Sequence, residues 1–443
     1  MIPLLRNFNE KLFKKNDKLL LAISGGIDSM VMFHRLRELS QTMNLTLMVA
    51  HVDHQKRKTS DLDCEFVRET CSKYGIPFFT TALEYTDIDN FHNYARTLRY
   101  EFFYKIAKEN SIKKIVLAHN QNDNAETILM RLTRGSSLEG YRGILDVSNY
   151  KDLTIIRPLL NVSRQEILQY QKENNIEYRE DESNQMDDYT RNRFRHHILP
   201  LLEKENPKFL DKFSQFSEYL DLTYELVENA AKKYIKNSVL IKKDSCVIDS
   251  KSLQKLEKIL QIEVIKRVVN LKTNNEIELS FQNLRDVLSI VNSKKPNLEL
   301  DLDQNLFIYK SYGRLIIQSD KNIKTDYEYK VSSPEKINTI ANDFVIISKK
   351  RSKYSGNIYK LCYNNLDQLF PLTVRNRRDG DKVKISNGTK KVKDLFIDKK
   401  VPLEERNSVP LILNKNGEIV WIPNYYKKKT IGNNEIFIIY QKG

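Results

Sequence analysis

Lys18-Leu19-Leu20-Leu21-Ala22-Ile23, then Ser24-Gly25-Gly26-Ile27-Asp28-Ser29, then Met30 to Leu39, is the stretch that decides the fold. An apolar run of strand length passes through a glycine turn into a segment whose apolar residues recur every three or four positions. Strand, loop and helix in that order open a doubly wound parallel α/β sheet. The loop's amides and hydroxyls converge where the helix dipole favours an anion, and Gly25 and Gly26 permit close backbone approach. Ser24, Gly25, Gly26, Ile27, Asp28 and Ser29 are therefore the candidate phosphate-binding residues, with Asp28 suited to Mg²⁺ bridging phosphate oxygens. No glycine is followed by lysine and no two are spaced GxG, which excludes the Walker A loop and the dinucleotide fingerprint.

Outward from that stretch the alternation continues. Further strands are expected at Leu45–His51, Pro77–Thr81, Lys114–Ala118 and Thr154–Arg157, with helices at Asp61–Tyr74, Asn90–Glu109 and Asn124–Leu132. These complete an expected catalytic domain over 1–205. A mixed helical and β domain is expected over 206–325, with helices at Pro207–Lys236, Leu253–Val269 and Phe281–Val291 and strands in Leu298–Gln318 around Asp303-Gln304-Asn305 and Gly313. After a polar linker near Asp320–Lys336, a β-rich domain is expected over 340–443, with turns at Asp379-Gly380, Asn387-Gly388 and Asn416-Gly417.

Composition narrows the class. With 40% hydrophobic and 30% charged residues the chain is of globular type. Near its start the longest apolar run is Leu19–Ile23, far below the ~20 residues of a membrane span, so no membrane partner and a cytoplasmic location are expected. Cys64, Cys71, Cys246 and Cys362 are scattered and form no CxxC pair, which argues against a disulfide framework and a zinc or iron-sulfur site. The net charge of +15 favours a polyanionic partner, nucleic acid first. Ten Lys or Arg stand against four Asp between Arg375 and Lys400.

Several stretches carry further chemistry. Ala50-His51-Val52-Asp53-His54 closes the second strand on the edge where open α/β sheets bind ligands, and His51, Asp53 and His54 are read as lining the nucleotide site. Asp123 and Glu126, three apart after His119, share a helix face, where they serve a cation, or where Asn122 or Asp123 caps the helix and Glu126 closes a capping box. Arg96, Arg99 and Tyr100 lie on one helical face, and Arg131 and Arg134 follow near Gly135; such arginines neutralise charge developing on phosphates. Asp181-Glu182-Ser183-Asn184 precedes Arg191-Asn192-Arg193-Phe194-Arg195-His196-His197, a dense donor set for a phosphodiester or an adenylate.

The loop resembles the PP-loop of N-type ATP pyrophosphatases, which split ATP between the α and β phosphates. The order SGGxDS, HVDH, HxxxxxxE, Arg157-to-Leu160 (RPLL), DxSN and RNRFR resembles the tRNA(Ile)-lysidine synthases. Arg375 to Lys382, Lys393 to Phe396, Lys400 to Pro402 and Val420 to Pro423 look like that family's C-terminal domain. Asn120, Asn122 and Asn124 depart from its pattern, which has a second histidine, an acid and a glutamine there. The resemblance implies ATP and Mg²⁺ as cofactors, with L-lysine and a tRNA(Ile) bearing a CAU anticodon as substrates. The cytosine C2 oxygen is adenylated and lysine's side-chain amine then displaces AMP. Asp28 and Glu126 are the implied metal ligands, and Arg96, Arg99, His119, Arg191, Arg193 and Arg195 the groups around the reacting phosphate. Two other readings stand beside it: a PP-loop cytidine thiolase, disfavoured by the missing cysteine pair, and a non-catalytic tRNA-binding nucleotide sensor. The sequence does not reveal the oligomeric state, and a homodimer is one arrangement it allows.

Overall fold

The computed structural model describes residues 5, 7–53, 60–82, 91–179, 187, 189–274, 276–302, 306–318, 326–339, 343–350, 356–365, 369–386, 388–402 and 405–442. His54, Asp181 to Asn184, Asp303 to Asn305, Asn387 and the start of the expected linker at 320–325 lie outside them. The chain divides into two compact units, Met1–Leu226 and Val227–Gly443.

The first unit contains the expected doubly wound sheet. Its elements are β1 (Lys18–Ala22), α1 (Ile27–Met43), β2 (Thr46–Asp53), α2 (Ser60–Lys73), β3 (Phe78–Ala82), α3 (Phe91–Glu109), β4 (Lys114–Val116), α4 (Gln121–Arg134), α5 (Leu138–Tyr141), β5 (Val147–Tyr150), β6 (Leu153–Ile156) and α6 (Arg164–Glu173). Beyond them come α7 (Thr190–Arg193), a π-helical turn at Phe194–Ile198, α8 (Leu199–Glu205) and α9 (Phe209–Ser238). The sheet order is β3-β2-β1-β4-β6-β5, parallel except that β5 pairs antiparallel with β6 at the edge. The sequence signalled every strand but β5, whose Val-Ser-Asn-Tyr is half solvated and has no apolar run to announce it.

After its exposed first residue, Lys18, β1 is apolar because both its faces are covered. Leu19 and Leu21 pack into one core with Leu47, Val49 and residues of α1, α2 and α6; Leu20 turns into the other with Ala50, Val52, Ile115 and residues of α3. The strand order reverses between β1 and β4, so the loops leaving those two strands diverge and open a crevice at the carboxyl edge.

The second unit has separate cores. One joins the 245–249, 306–311 and 314–318 strands to helices Lys258–Thr273 and Phe281–Asn292. Another fills the space between a five-stranded and a four-stranded sheet around Trp421, which is fully buried and stacks on Tyr359 at 5.7 Å. A third lies beneath the hairpin Lys382–Ile385/Gly388–Lys391 and helix Val392–Asp398, on Val383, Val392, Leu395, Phe396 and Val401. Among the described residues no helix is long and apolar enough to cross a membrane.

Part of the basic motif at 375–382 is internal framework. Arg375 forms a two-pronged pair with Asp381, Nη2 to Oδ1 at 2.7 Å and Nη1 to Oδ2 at 2.8 Å, and both side chains are shielded from water. Replacing Asp381 by Ala strands a buried guanidinium, and we expect a loss of about 3–5 kcal/mol. The check is the urea midpoint of the full chain followed by Trp421 fluorescence, an unchanged midpoint being the contrary result.

Candidate active site

The crevice holds a cavity of about 710 Å³, inside the roughly 300–1,000 Å³ range of small-ligand sites. One wall is the loop between β1 and α1. Gly25 takes φ +90°, the left-handed region that favours glycine, and Gly26 caps α1. Ser24 Oγ and Ser29 Oγ are 3.2 Å apart, Gly26 N donates to Ser24 Oγ at 3.3 Å, and Ser29 Oγ donates to Gly26 O at 2.8 Å. Ser24, Gly26, Ile27, Asp28 and Ser29 line the cavity. The loop is fastened from outside: Arg179 N donates to the Gly25 carbonyl at 3.0 Å while Arg179 Nε meets Asp63 Oδ1 of α2 at 2.6 Å.

The opposite wall comes from the end of β4 and the start of α4. Asn120 is the cap of α4: its Oδ1 accepts Asp123 N and its own N donates to Asp123 Oδ2, each at 3.0 Å. The capping box is thus Asn120 with Asp123, one turn earlier than the expected one with Glu126. Asn120 Nδ2 also reaches Asp28 Oδ1 at 3.1 Å, tying the two walls together.

Glu126 has no exposure at all, and a buried carboxylate needs paired donors. Arg191 Nε reaches its Oε2 at 2.6 Å and Arg195 Nε its Oε1 at 2.7 Å, while Arg191 and Arg195 also share Asp123 Oδ1 at 3.0 and 3.3 Å. Burial works to raise the Asp123 pKa, but Arg191, His119 and Arg195 hold it below the usual carboxylate range. Arg193 is not part of the cluster. On a helical path positions 191 and 195 share a face and 193 does not, so Arg193 turns to Asp187 O and Thr190 Oγ1, each at 3.0 Å.

Asp28 is the remaining carboxylate. Burial raises its pKa, against the pull of Arg164, whose Nη1 lies 2.6 Å from each of its oxygens. An acid destabilised by burial on the wall of a cavity suits a divalent cation, so Asp28 fits Mg²⁺. Glu126 does not fit it, because it is fully buried and its two oxygens are held by two different guanidinium groups, those of Arg191 and Arg195, whereas the partly exposed Asp28 shares a single arginine nitrogen between its oxygens.

His119 lines the cavity with its Nδ1 shielded and without a hydrogen bond. Burial first, then Arg157, Arg191 and Arg99, push its pKa down to about 3. Arg99 also lines the cavity; burial lowers its pKa, and among the described residues it makes no ion pair. Arg96 on the same helix is exposed and packs on the Tyr100 ring at 5.0 Å. Arg131 braces the turn after α4 through Gly143 O at 2.8 Å, and Arg134 is exposed.

β2 presents Ala50 and Val52 to the cavity. Because side chains alternate across a strand, His51 and Asp53 are buried on the other face and do not line the cavity. His51 Nδ1 donates to Ile23 O at 2.9 Å, and burial lowers its pKa. His54 lies outside the described residues. Asp63, Arg164 and Arg179 were not singled out by sequence, and Asn120 only as a departure from the family's pattern. Arg164 left one signal: Ser163 and Glu166 spell a capping box, which puts an arginine in the first turn, where a helix disfavours positive charge.

With that geometry in view, the relatives are informative. Residues 3–202 match the PP-loop domain family and residues 372–435 the TilS substrate C-terminal domain family. The tRNA(Ile)-lysidine synthase of Bacillus subtilis is 33% identical over 430 residues, spanning 93% of this chain and 90% of that one. The chain belongs to the tRNA(Ile)-lysidine synthase family. A second member, from Bacillus licheniformis, is 34% identical over 432 residues, spanning 93% of this chain and 89% of its own. The bifunctional protein TilS/HprT of Listeria innocua is 31% identical over 429 residues; there the match takes in 94% of this chain but 66% of the relative. This chain therefore spans just under two thirds of the bifunctional relative's length.

The depressed His119 pKa has a testable sign. Between about 3 and the unfolded value near 6.5 the unfolded chain binds a proton that the folded chain refuses. Stability from this group is therefore complete above about pH 6.5 and is lost as pH falls toward 3, by at most a few kcal/mol. His119→Gln should flatten the acid limb of a urea-midpoint profile from pH 7 to 4; an unaltered limb would show that the imidazole protonates freely in the folded state.

Proposed function

We propose that this chain ligates L-lysine to C2 of the wobble cytidine of a tRNA(Ile) with a CAU anticodon, using ATP. The observation that carries the reading is the single hydrogen-bonded network joining the Ser24-to-Ser29 loop, through Asp28 and Asn120, to Asp123, Glu126, Arg191 and Arg195. It lies in a chain aligned to lysidine synthases along 93% of its length.

In the first step the cytosine C2 oxygen attacks the α-phosphorus and the bond to the β-phosphate oxygen breaks, releasing pyrophosphate. The amides of the loop and the hydroxyls of Ser24 and Ser29 receive that leaving group at the start of α1. Asp28 would hold the Mg²⁺, which would supply charge neutralisation for the phosphates. Arg99, which makes no ion pair among the described residues, is placed to meet negative charge on the nucleotide. In the second step the lysine amine attacks C2, AMP departs with the oxygen, and the new nitrogen loses a proton. His119, with a pKa of about 3, is a poor proton carrier near neutrality and acts as a neutral hydrogen-bonding group. Glu126 orients Arg191 and Arg195.

The 1–205 region is the catalytic domain in this reading, 206–325 aids substrate recognition, and 340–443 grips the tRNA in the cytoplasm. Support for the last comes from the hairpin at 382–391. Lys382 stands directly across from Lys391, and Lys382, Lys391, Lys393, Lys399 and Lys400 are exposed and make no ion pair among the described residues. Like charges set opposite one another are destabilising unless an anion meets them.

Incubation with ATP, Mg²⁺, labelled lysine and a CAU tRNA should leave label on the tRNA that survives mild alkali, as a carbon-nitrogen bond does and an ester does not. Asp28→Asn should lower that incorporation by more than about 100-fold. No incorporation into a competent tRNA would defeat the reading. Exchanging Lys382, Lys391 and Lys393 for Glu should weaken tRNA binding and flatten its salt dependence, with ATP binding unchanged; equal loss of both ligands would mark the hairpin as framework.

A further inference from the structure

Asp28 already has a cation beside it. A guanidinium held firmly on a carboxylate frequently presents two nitrogens to two oxygens in parallel, as Arg375 does to Asp381. Arg164 does not. A single nitrogen, Nη1, lies 2.6 Å from both Oδ1 and Oδ2, straddling the carboxylate as a compact ion does. Its Nε and Nη2 make no hydrogen bond among the described residues, and the side chain, 42% exposed, stands on the cavity wall.

The pair is supported from both sides. Asn120 Nδ2 donates to Asp28 Oδ1 at 3.1 Å, and Asn122 Oδ1 accepts Arg164 N at 2.9 Å, pinning the backbone from which the arginine extends. Arg164 is the first residue of α6, where the dipole works against a positive charge and for an anion. It is thus anchored at the main chain, only loosely committed at the head group, and close to the loop of Ser24 to Ser29.

We propose that Arg164 is a resident counter-ion for Asp28, which yields the carboxylate to the divalent cation arriving with ATP and turns its freed guanidinium onto the nucleotide's phosphates. The inference rests on the reading of the loop as the phosphate site and of Asp28 as the metal ligand. Arg164 then has two effects of opposite sign. It competes with the metal when no nucleotide is present, and it adds a charge-assisted hydrogen bond to phosphate when nucleotide is bound. A surface arginine that happens to touch Asp28 would do neither.

Mn²⁺ in place of Mg²⁺, with free ion counted by electron paramagnetic resonance on the full chain without tRNA or lysine, separates the two effects. Without nucleotide, Arg164→Gln should bind Mn²⁺ about tenfold more tightly than the wild type, a 1.4 kcal/mol change, and adding Asp28→Asn should abolish the gain. With a non-hydrolysable ATP analogue and Mn²⁺, Arg164→Gln should bind nucleotide about tenfold more weakly. Asn122→Ala keeps both charges while releasing the arginine's backbone, and should raise nucleotide-free Mn²⁺ affinity by a smaller factor; it decides the matter if Arg164→Gln does not fold. Equal nucleotide-free Mn²⁺ affinity in the wild type and both variants overturns the role of Arg164 alone, provided the analogue binds. A gain that survives Asp28→Asn overturns it too. Failure of the wild type to bind the analogue overturns this role together with the phosphate-site reading.

Discussion

A carboxylate with no contact with water must be surrounded by donors, and Glu126 is that carboxylate. Its requirement draws Arg191 and Arg195 onto α4 and, through Asp123, draws in the cap residue Asn120 and hence Asp28. Three carboxylates, Asp28, Asp123 and Glu126, face three guanidinium groups, those of Arg164, Arg191 and Arg195. The cluster is balanced in charge before any ligand arrives. A nucleotide's negative charge must therefore find donors outside that balance. The amides at the start of α1, Arg99 and the Arg164 nitrogens that make no hydrogen bond among the described residues are such donors.

The π-helical turn at Phe194–Ile198 belongs to the same requirement. Arg191 sits on α7 and Arg195 within the wider turn, yet both Nε atoms reach the two oxygens of one carboxylate. The buried Phe194 between them packs with Ala125, Leu199 and Phe209 and fixes the turn to the same helix that carries Glu126. Packing and charge pairing thus act on the same short segment, and widened helical turns recur where function overrides ideal geometry.

The sheet was legible because apolar runs and glycine turns report it directly, and the loop was legible because its residues are contiguous. What the sequence left unread is what depends on direction or distance. His51 and Asp53 were expected at the site because they end the right strand, but a period of two sends them to the far face while Ala50 and Val52 line the cavity. The alternating arginines looked equivalent on paper, and a period of 3.6 separates Arg193 from its neighbours. Asp63, Arg164 and Arg179 come from α2, the start of α6 and the segment after it, and only the fold places them beside Gly25 and Asp28. In the basic C-terminal stretch, composition registered the positive charge but not that Arg375 is internally paired while Lys382 and Lys391 are exposed.

The three asparagines after His119 show how a family pattern is altered without loosening the site. Asn120 links Asp28 to Asp123, Asn122 holds the backbone of Arg164, and Asn124 Oδ1 accepts Ile144 N at 2.7 Å where the chain passes close at Gly143. Each amide works through hydrogen bonds and adds no charge. An acid at position 122, where the family's pattern has one, would add a fourth carboxylate to a cluster with three guanidinium groups, and the surplus would have to be met by metal or by lysine. Here the balance is complete without it. That leaves Asp28, with its single straddling nitrogen, as the one carboxylate of the cluster whose partner is loosely enough bound to be exchanged.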